Sequence, residues 1–142
     1  MEERKSPIME FTSQKQLNKC LREWQKTLFL DHWIISVIIS SPKKLGDNWG
    51  NNHFVYESNT SLIRLVKSTK STTNKVMKYC MEQVLVHELL HCKYLSVEAQ
   101  HPQIEDVHYE KKQHELIDQM AKSLIMVKYN LPFEWFKNFK EK

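Results

Sequence analysis

The chain has 142 residues, which is enough for one domain with a sizeable core and too few for two catalytic domains. Glycine occurs only at Gly46 and Gly50, which excludes the glycine-rich loops that bind phosphate in nucleotide enzymes, because those loops need several glycines at fixed spacing. The net charge of +4 is a mild excess, whereas proteins that read nucleic acids present a concentrated basic face, so we expect no nucleic-acid partner.

The first half of the chain is predicted to form one helix followed by three strands. Apolar residues three and four apart indicate a helix over about residues 12–30. β-Branched and aromatic residues indicate a strand over 33–40, and the glycine-containing stretch 42–52 reads as a loop. Two further strands are predicted at 53–57 and 61–66, with a short turn between them.

Helical spacing returns in the second half of the chain. Two long helices are predicted, over about residues 73–95 and 106–129, and a short helix over 132–140. Helices and strands are therefore segregated along the chain, which is typical of the α+β class. Because no linker or repeat divides the sequence, we expect one domain spanning residues 1–142.

An H-E-x-x-H motif lies within the first of these long helices and consists of His87, Glu88 and His91 with two leucines between them. Residues four apart on an α-helix lie about 40° apart around the axis and one turn along it. Two imidazoles so placed can bind one zinc ion at about 2.0–2.1 Å, and the intervening glutamate reaches the metal-bound water. The motif predicts a zinc site with Glu88 as its catalytic residue.

The distribution of residues around this helix places the motif on the inner side. Apolar residues share the side of His87 and His91, while a stripe that includes Glu82 and Lys93 lies opposite and is expected to face water. A buried carboxylate beside two imidazoles needs compensation, which a divalent cation supplies. A hydrogen-bonded histidine pair with an ion-paired Glu88 is the alternative that involves no metal.

Zinc needs a third protein ligand, and the second long helix offers candidates. His114, Asp118 and Glu110 share the apolar side of that helix, whereas Glu115 lies with the lysines on the other side. We expect His114 to face the core and to be the third ligand. Asp118, one turn later, is expected to accept the other N–H of the His114 imidazole. Glu110 is the alternative ligand by the same facing argument.

Cysteine usage and apolar stretches indicate the compartment. Cys20, Cys80 and Cys92 form no C-x-x-C pair, which is typical of free thiols in a reducing cytoplasm. No apolar segment follows the charged N-terminus, and the longest apolar stretch, 33–39, is too short for a membrane span. We therefore expect a cytoplasmic protein with no membrane partner.

Several of these segments resemble the zincin superfamily, in particular its gluzincin branch, and look most like the small phage- and prophage-borne metallopeptidases of that type. The resemblance covers about residues 20–128 and is carried by Trp24, by 33–37 (WIISV), by 86–91 (VHELLH) and by 114–124 (HELIDQMAKSL). In such relatives the third ligand is commonly a glutamate, with an acidic residue one turn later, and His114 and Asp118 stand at these positions here. SprT-like proteases share the H-E-x-x-H motif and a distant histidine, but their His-Gly signature and zinc ribbon do not occur in this sequence.

The resemblance implies a minimal zincin-like fold in which a three-stranded sheet lies over two helices, with an edge strand at the cleft. Leu62–Val66 is the candidate edge, to which an extended peptide would add as a further strand. The predicted function is a zinc-dependent peptidase that acts on a peptide or protein substrate, with His87, His91 and His114 holding Zn²⁺ and Glu88 as general base. The alternative is a catalytically idle zinc-binding module of the same fold that acts as a phage-encoded interaction protein, and a phage-encoded protein would work in the host cytoplasm.

Overall fold

The computed structural model describes residues 5–40, 49–55, 58–67, 79–98 and 107–137. These residues form an α+β fold with three α-helices and a three-stranded mixed sheet, which confirms the predicted class. In chain order the elements are α1 (Gln14–Thr27), β1 (Ile34–Ser40), β2 (Gly50–Val55), β3 (Thr60–Val66), α2 (Met81–Glu98), α3 (Val107–Tyr129) and a 3-10 helix (Phe133–Phe136). Within the described ranges, none of the helices is long and apolar enough to cross a membrane.

Helix α1 forms where the apolar spacing predicts it. The side chain of Ser13 caps its first turn by accepting a hydrogen bond from the main-chain N–H of Gln16 at 3.1 Å. Leu17, Leu21 and Trp24 recur on one side of the helix and are buried. This side packs against β1 and α2, so α1 forms one wall of the core that holds α2.

The three strands pair in the order β1-β3-β2, with β3 parallel to β1 and antiparallel to β2. The prediction that Leu62–Val66 is an edge is therefore wrong, because these residues belong to the central strand. The physical reason lies in the inner face of β3, where Ile63 and Leu65 are completely buried and gain most from neighbours on both sides. Strand order depends on such long-range pairing, which local periodicity does not reveal.

Strand β2 begins at Gly50, three residues before the predicted start, and includes two asparagines that read as loop residues. Gly50 pairs with Leu65 and Asn52 pairs with Ile63, so both lie on the inner face of the sheet. Glycine and asparagine have low intrinsic strand propensity, and the pairing with β3 overrides that preference. As a result β2, rather than β3, is an edge strand beside α2.

Helix α2 is the centre of the core. Its first ten residues are all buried, because β2 and β3 cover one side while α1 and α3 contact the others. The N-terminal segment closes the first turn: the main-chain N–H groups of Met81 and Glu82 donate to the carbonyl oxygens of Met9 and Ile8 at 3.0 and 3.1 Å. The predicted start of this helix near residue 73 lies outside the described residues.

The prediction that Glu82 faces water is wrong, since its side chain is fully buried. Its carboxylate accepts hydrogen bonds from the main-chain N–H of Ile8 at 2.9 Å, the indole of Trp24 at 2.8 Å and the hydroxyl of Tyr129 at 2.5 Å. The ammonium group of Lys128 lies 3.8 Å away. The prediction assumed one solvated side of α2, whereas α1, α3 and the N-terminal segment cover that side.

The C-terminal segment forms a single 3-10 turn, Phe133–Phe136, where the sequence predicts a longer helix over 132–140. Pro132 before it and Lys137 after it both have extended backbones, which limits the turn to four residues. Phe136 is buried against the core, whereas Phe133 is exposed. Residues 138–142 lie outside the described residues.

Candidate metal centre

Three histidine side chains meet between α2 and α3. His87 and His91 lie one turn apart on α2, and His114 lies on α3. One nitrogen of each ring lies within 4.8 Å of those of the others, and the Nε2 atoms of His87 and His91 are 3.2 Å apart. Ligands at 2.0–2.1 Å around a tetrahedral zinc ion are about 3.3 Å from each other, so the spacing of this pair fits a shared metal ion. The structure thus brings together the three histidines that the sequence proposes as ligands.

The packing of α3 directs His114 toward α2. Ile117, Ala121 and Ile125 are completely buried and define the side of α3 that faces the core. His114 precedes Ile117 by three residues and shares that side, with its ring centroid 4.7 Å from that of His87. The side chain is nevertheless exposed, contrary to the expectation that it faces the core, because it lies one turn nearer the start of α3 than Ile117. His114 therefore lies at the outer border of the cluster.

Asp118 contacts His87 rather than His114, which corrects the predicted pairing. Its Oδ1 atom lies 3.4 Å from Nδ1 of His87, and its Oδ2 atom lies 2.7 Å from Nζ of Lys122. The four-residue spacing does place Asp118 below His114 on α3, but the carboxylate reaches across to α2 at the level of His87. Burial alone would raise the pKa of Asp118, and the hydrogen bonds from His87 and Lys122 outweigh it and lower the pKa to about 2.

Glu88 and His91 show how burial sets protonation in this cluster. Glu88 is 7% exposed, and burial raises the pKa of its carboxyl to about 7, with the nearby His87 opposing the rise. Burial, together with the charges of His87 and His114, lowers the pKa of His91 to about 4. His91 is therefore neutral at neutral pH, which is the state that a metal ion requires of an imidazole ligand.

A cavity of about 240 Å³ opens beside the cluster. Its polar lining comes from His87, Glu88, His114, Asp118 and Gln83. Its other wall comes from the start of β2 and from α2, and consists of Trp49, Gly50 and Val84. Catalytic and binding sites have this combination of an apolar wall and a few convergent polar groups.

The aromatic rings of Trp49 and Tyr79 pack against each other beside the apolar wall of the cavity. Their rings pack edge to face with centroids 4.9 Å apart. Both residues bond to the main chain of Val66: its N–H donates to the carbonyl of Trp49 at 2.9 Å, and its carbonyl accepts the hydroxyl of Tyr79. Sequence reasoning missed Trp49, because its role depends on where β2 starts.

Asn52 ties the sheet to the turn of α2 that carries the motif. Its side-chain amide donates to the carbonyl of Glu88 at 2.8 Å and to the sulfur of Cys92 at 3.2 Å, and its oxygen accepts the hydroxyl of Ser61. The Cys92 side chain is buried. Glu110, the alternative third ligand, has its side chain outside the described residues.

We expect Gly50→Ala to destabilise the fold, because β2 approaches α2 closely at this position. A Cβ atom there would lie 2.8 Å from Cγ1 of Val84 and 3.2 Å from the carbonyl oxygen of Arg64. A valine in a helix has little rotamer freedom and the carbonyl is main chain, so neither neighbour yields easily. The free energy of unfolding should fall by about 1–3 kcal/mol in urea titrations.

His53→Ala, at an exposed position of the same strand, is the control and should change the free energy of unfolding by less than about 0.5 kcal/mol. Equal stability of the two variants would show that the strand adjusts freely.

Comparison of this chain with protein-family models, with curated proteins and with solved structures finds no match.

Proposed function

We propose that this protein is a zinc-dependent peptidase with a zincin-like site. The observation that carries the proposal is the convergence of His87, His91 and His114 within 4.8 Å, beside a cavity that His87, His114 and the buried carboxylate of Glu88 line. Three imidazoles with one position left open form a ligand set used by catalytic zinc ions. When bound, zinc would supply Lewis acidity that polarises a carbonyl and acidifies water.

Glu88 is the proton carrier in this proposal. Its carboxylate takes a proton from the attacking water and passes it to the amine nitrogen of the leaving peptide. A pKa of about 7 in the metal-free protein reflects an environment that holds a proton readily near neutral pH, as a group that must both accept and release one requires. The burial of Glu88 supports the same role, because a side chain that is 7% exposed has little contact with water.

The edge of β2 is the place where an extended peptide substrate would pair. β3 is paired on both sides, and the main-chain carbonyl of Val37 on β1 accepts a hydrogen bond from the side chain of Gln14 at 2.8 Å. The edge of β2 begins at Gly50, next to the cavity. Strand addition at this edge would bring the peptide main chain alongside His87 and Glu88.

Metal content per chain tests the proposal directly. The purified protein, dialysed against a weak chelator, should retain one Zn²⁺ per chain. His91→Ala and His114→Ala should each lower the zinc affinity by more than about 100-fold, because removal of a ligand exceeds the 10- to 100-fold loss typical of residues that only support ligands. His53→Ala, an exposed histidine of β2 outside the cluster, is the matched control and should bind zinc as the unaltered protein does.

Hydrolysis of an unfolded protein such as casein completes this test. Zinc-dependent cleavage that disappears in His91→Ala supports the peptidase. One bound zinc per chain without any hydrolysis would instead indicate a metal-stabilised binding module. An unaltered protein that does not bind zinc would refute the metal site itself.

A further inference from the structure

The carboxylate of Asp118 is held from both helices that build the site. From α2, the side-chain amide of Gln83 donates to Oδ1 of Asp118 at 3.2 Å, and Gln83 is only 3% exposed. From α3, the ammonium group of Lys122 lies 2.7 Å from Oδ2. The remaining contact of Oδ1 is Nδ1 of His87, at 3.4 Å. Each carboxylate oxygen thus has a defined donor in addition to the histidine.

The spacing along the two helices explains how this arrangement arises. Gln83 precedes His87 by four residues on α2, and Lys122 follows Asp118 by four residues on α3. Residues four apart on a helix lie one above the other on the same side. Each helix therefore contributes one residue of the site and one residue, a turn away, that reaches toward Asp118.

These contacts restrict the orientation of the Asp118 carboxylate. A charge-assisted bond as short as that from Lys122 fixes Oδ2, so that Oδ1 is directed toward α2. One carboxylate oxygen can accept two hydrogen bonds, and Gln83 takes one of them. The second hydrogen bond that Oδ1 can accept is left for the N–H at Nδ1 of His87. This contact favours the tautomer of His87 that carries its proton on Nδ1 and none on Nε2, and Nε2 is the atom that lies beside Nε2 of His91.

We propose that Gln83 and Lys122 are positioning residues for His87, acting through Asp118. The inference rests on the metal-binding part of the proposed function. It adds a network of four residues, called the relay below, in which Gln83 and Lys122 hold the carboxylate of Asp118 and Asp118 holds the imidazole of His87. Hydrogen bonds to the far side of a metal-bound imidazole raise its basicity and hold its ring in place. Loss of either anchor would leave the carboxylate free to turn away, and His87 would bind the metal more weakly.

Zinc affinity, measured by competition with a chromophoric chelator, tests this relay. Gln83→Leu and Lys122→Met should each weaken Zn²⁺ binding by about 10- to 100-fold. Lys122→Arg keeps a cation within reach of Oδ2 and should restore the affinity to within about threefold of the unaltered protein. Lys112→Met removes an exposed ion pair with Glu115 on the same helix and is the matched control, with unchanged affinity expected.

A second measurement separates positioning from a merely structural link between the helices. Co²⁺ bound in place of zinc reports ligand geometry through its visible absorption, and the spectrum should change in Gln83→Leu and Lys122→Met but not in Lys112→Met. A structural link alone would lower the stability of the metal-free protein and leave that spectrum and the zinc affinity unchanged.

The outcomes distinguish this inference from the function on which it rests. Unaltered zinc affinity and cobalt spectra in both Gln83→Leu and Lys122→Met would overturn the relay while leaving the metal site intact. Failure of the unaltered protein to bind Zn²⁺ would overturn the proposed function and the relay together. Lys122→Met alters a partly exposed side chain, so it decides the question even if Gln83→Leu, at a buried position, does not fold.

Discussion

A Glu88→Gln protein is expected to retain zinc and to hydrolyse peptides about 10²- to 10⁴-fold more slowly, which is the usual contribution of general acid–base catalysis. Glutamine matches the shape of the buried side chain but cannot take up a proton. Glu88 lines the cavity beside the histidines, but it is not one of the three residues whose side chains are close enough to share a metal ion. Its replacement should therefore leave the metal affinity unchanged. Initial rates of casein hydrolysis and zinc content, measured on the same preparation, test both parts.

A matched control is available on the neighbouring helix. Glu115 is exposed on α3 and pairs with Lys112 at 3.7 Å, so Glu115→Gln removes a carboxylate of equal size away from the cavity and should change neither quantity. Hydrolysis by Glu88→Gln at the rate of the unaltered protein would show that Glu88 is not the base. Loss of zinc together with activity would show that the carboxylate supports the metal instead.

The same substitution also changes how the stability of the metal-free protein depends on pH. Burial raises the pKa of Glu88 from 4.5 to about 7, so the native protein holds a proton that the unfolded chain has already released. The free energy of unfolding therefore includes a Glu88 contribution that is complete below pH 4.5 and is lost as the pH rises through 7, on the order of 3 kcal/mol in total. Relative to the unaltered protein, Glu88→Gln should gain that amount between pH 4.5 and 8.

Comparing the unaltered protein with Glu88→Gln separates the contribution of Glu88 to the free energy of unfolding from the contributions of neighbouring groups. His91 has the opposite dependence: its pKa falls from 6.5 to about 4 on folding, so its contribution to stability is present above pH 6.5 and is lost toward pH 4. That contribution is shared by both proteins and cancels in their difference. Urea unfolding in the presence of a chelator at several pH values measures the difference, and a constant value across this range would contradict a desolvated carboxyl.

The site residues were predictable where the relevant signal is local. The spacing of His87, Glu88 and His91 fixes their common side on a single helix, whatever surrounds it. His114 could be selected from the next helix because it shares a side with Ile117, Ala121 and Ile125, which the core must bury. These inferences need only helical geometry and the preference of apolar residues for the interior.

The rest of the site depends on how separate elements approach each other. Asp118 meets His87 because its side chain crosses from α3 to α2, and no spacing within α3 reveals that. Gln83 lies four residues before His87, so the sequence alone places the two on the same side of α2. An uncharged polar residue does not indicate a role in a site, however, unless its partner is known. Trp49 joins the cavity because β2 starts at Gly50, and that start depends on pairing with β3.

Loss of the Glu82 carboxylate is expected to destabilise the metal-free protein strongly, because this group is fully buried and accepts several hydrogen bonds. Glu82→Leu should lower the free energy of unfolding by about 3–5 kcal/mol, the cost of removing one partner from a buried charged network. The indole of Trp24, the hydroxyl of Tyr129 and the main-chain N–H of Ile8 would all lose their acceptor in the core. Glu82→Gln keeps one acceptor oxygen but brings N–H donors against these donors, so about 1–3 kcal/mol should be lost.

Glu23→Gln provides the comparison that separates burial from charge. Glu23 approaches the same ammonium group, Lys128, at 3.6 Å, but its side chain is 37% exposed, and exposed ion pairs contribute at most about 1 kcal/mol. Urea titrations of the three variants in the presence of a chelator should therefore rank Glu82→Leu, Glu82→Gln and Glu23→Gln in order of decreasing loss. Equal losses in Glu82→Leu and Glu23→Gln would mean that the network around Glu82 is not what joins the N-terminal segment and α1 to α2. Because Glu82 lies in the first turn of α2, which also carries Gln83 and His87, a loss confined to Glu82 would also show that this helix is held at its start by the buried carboxylate.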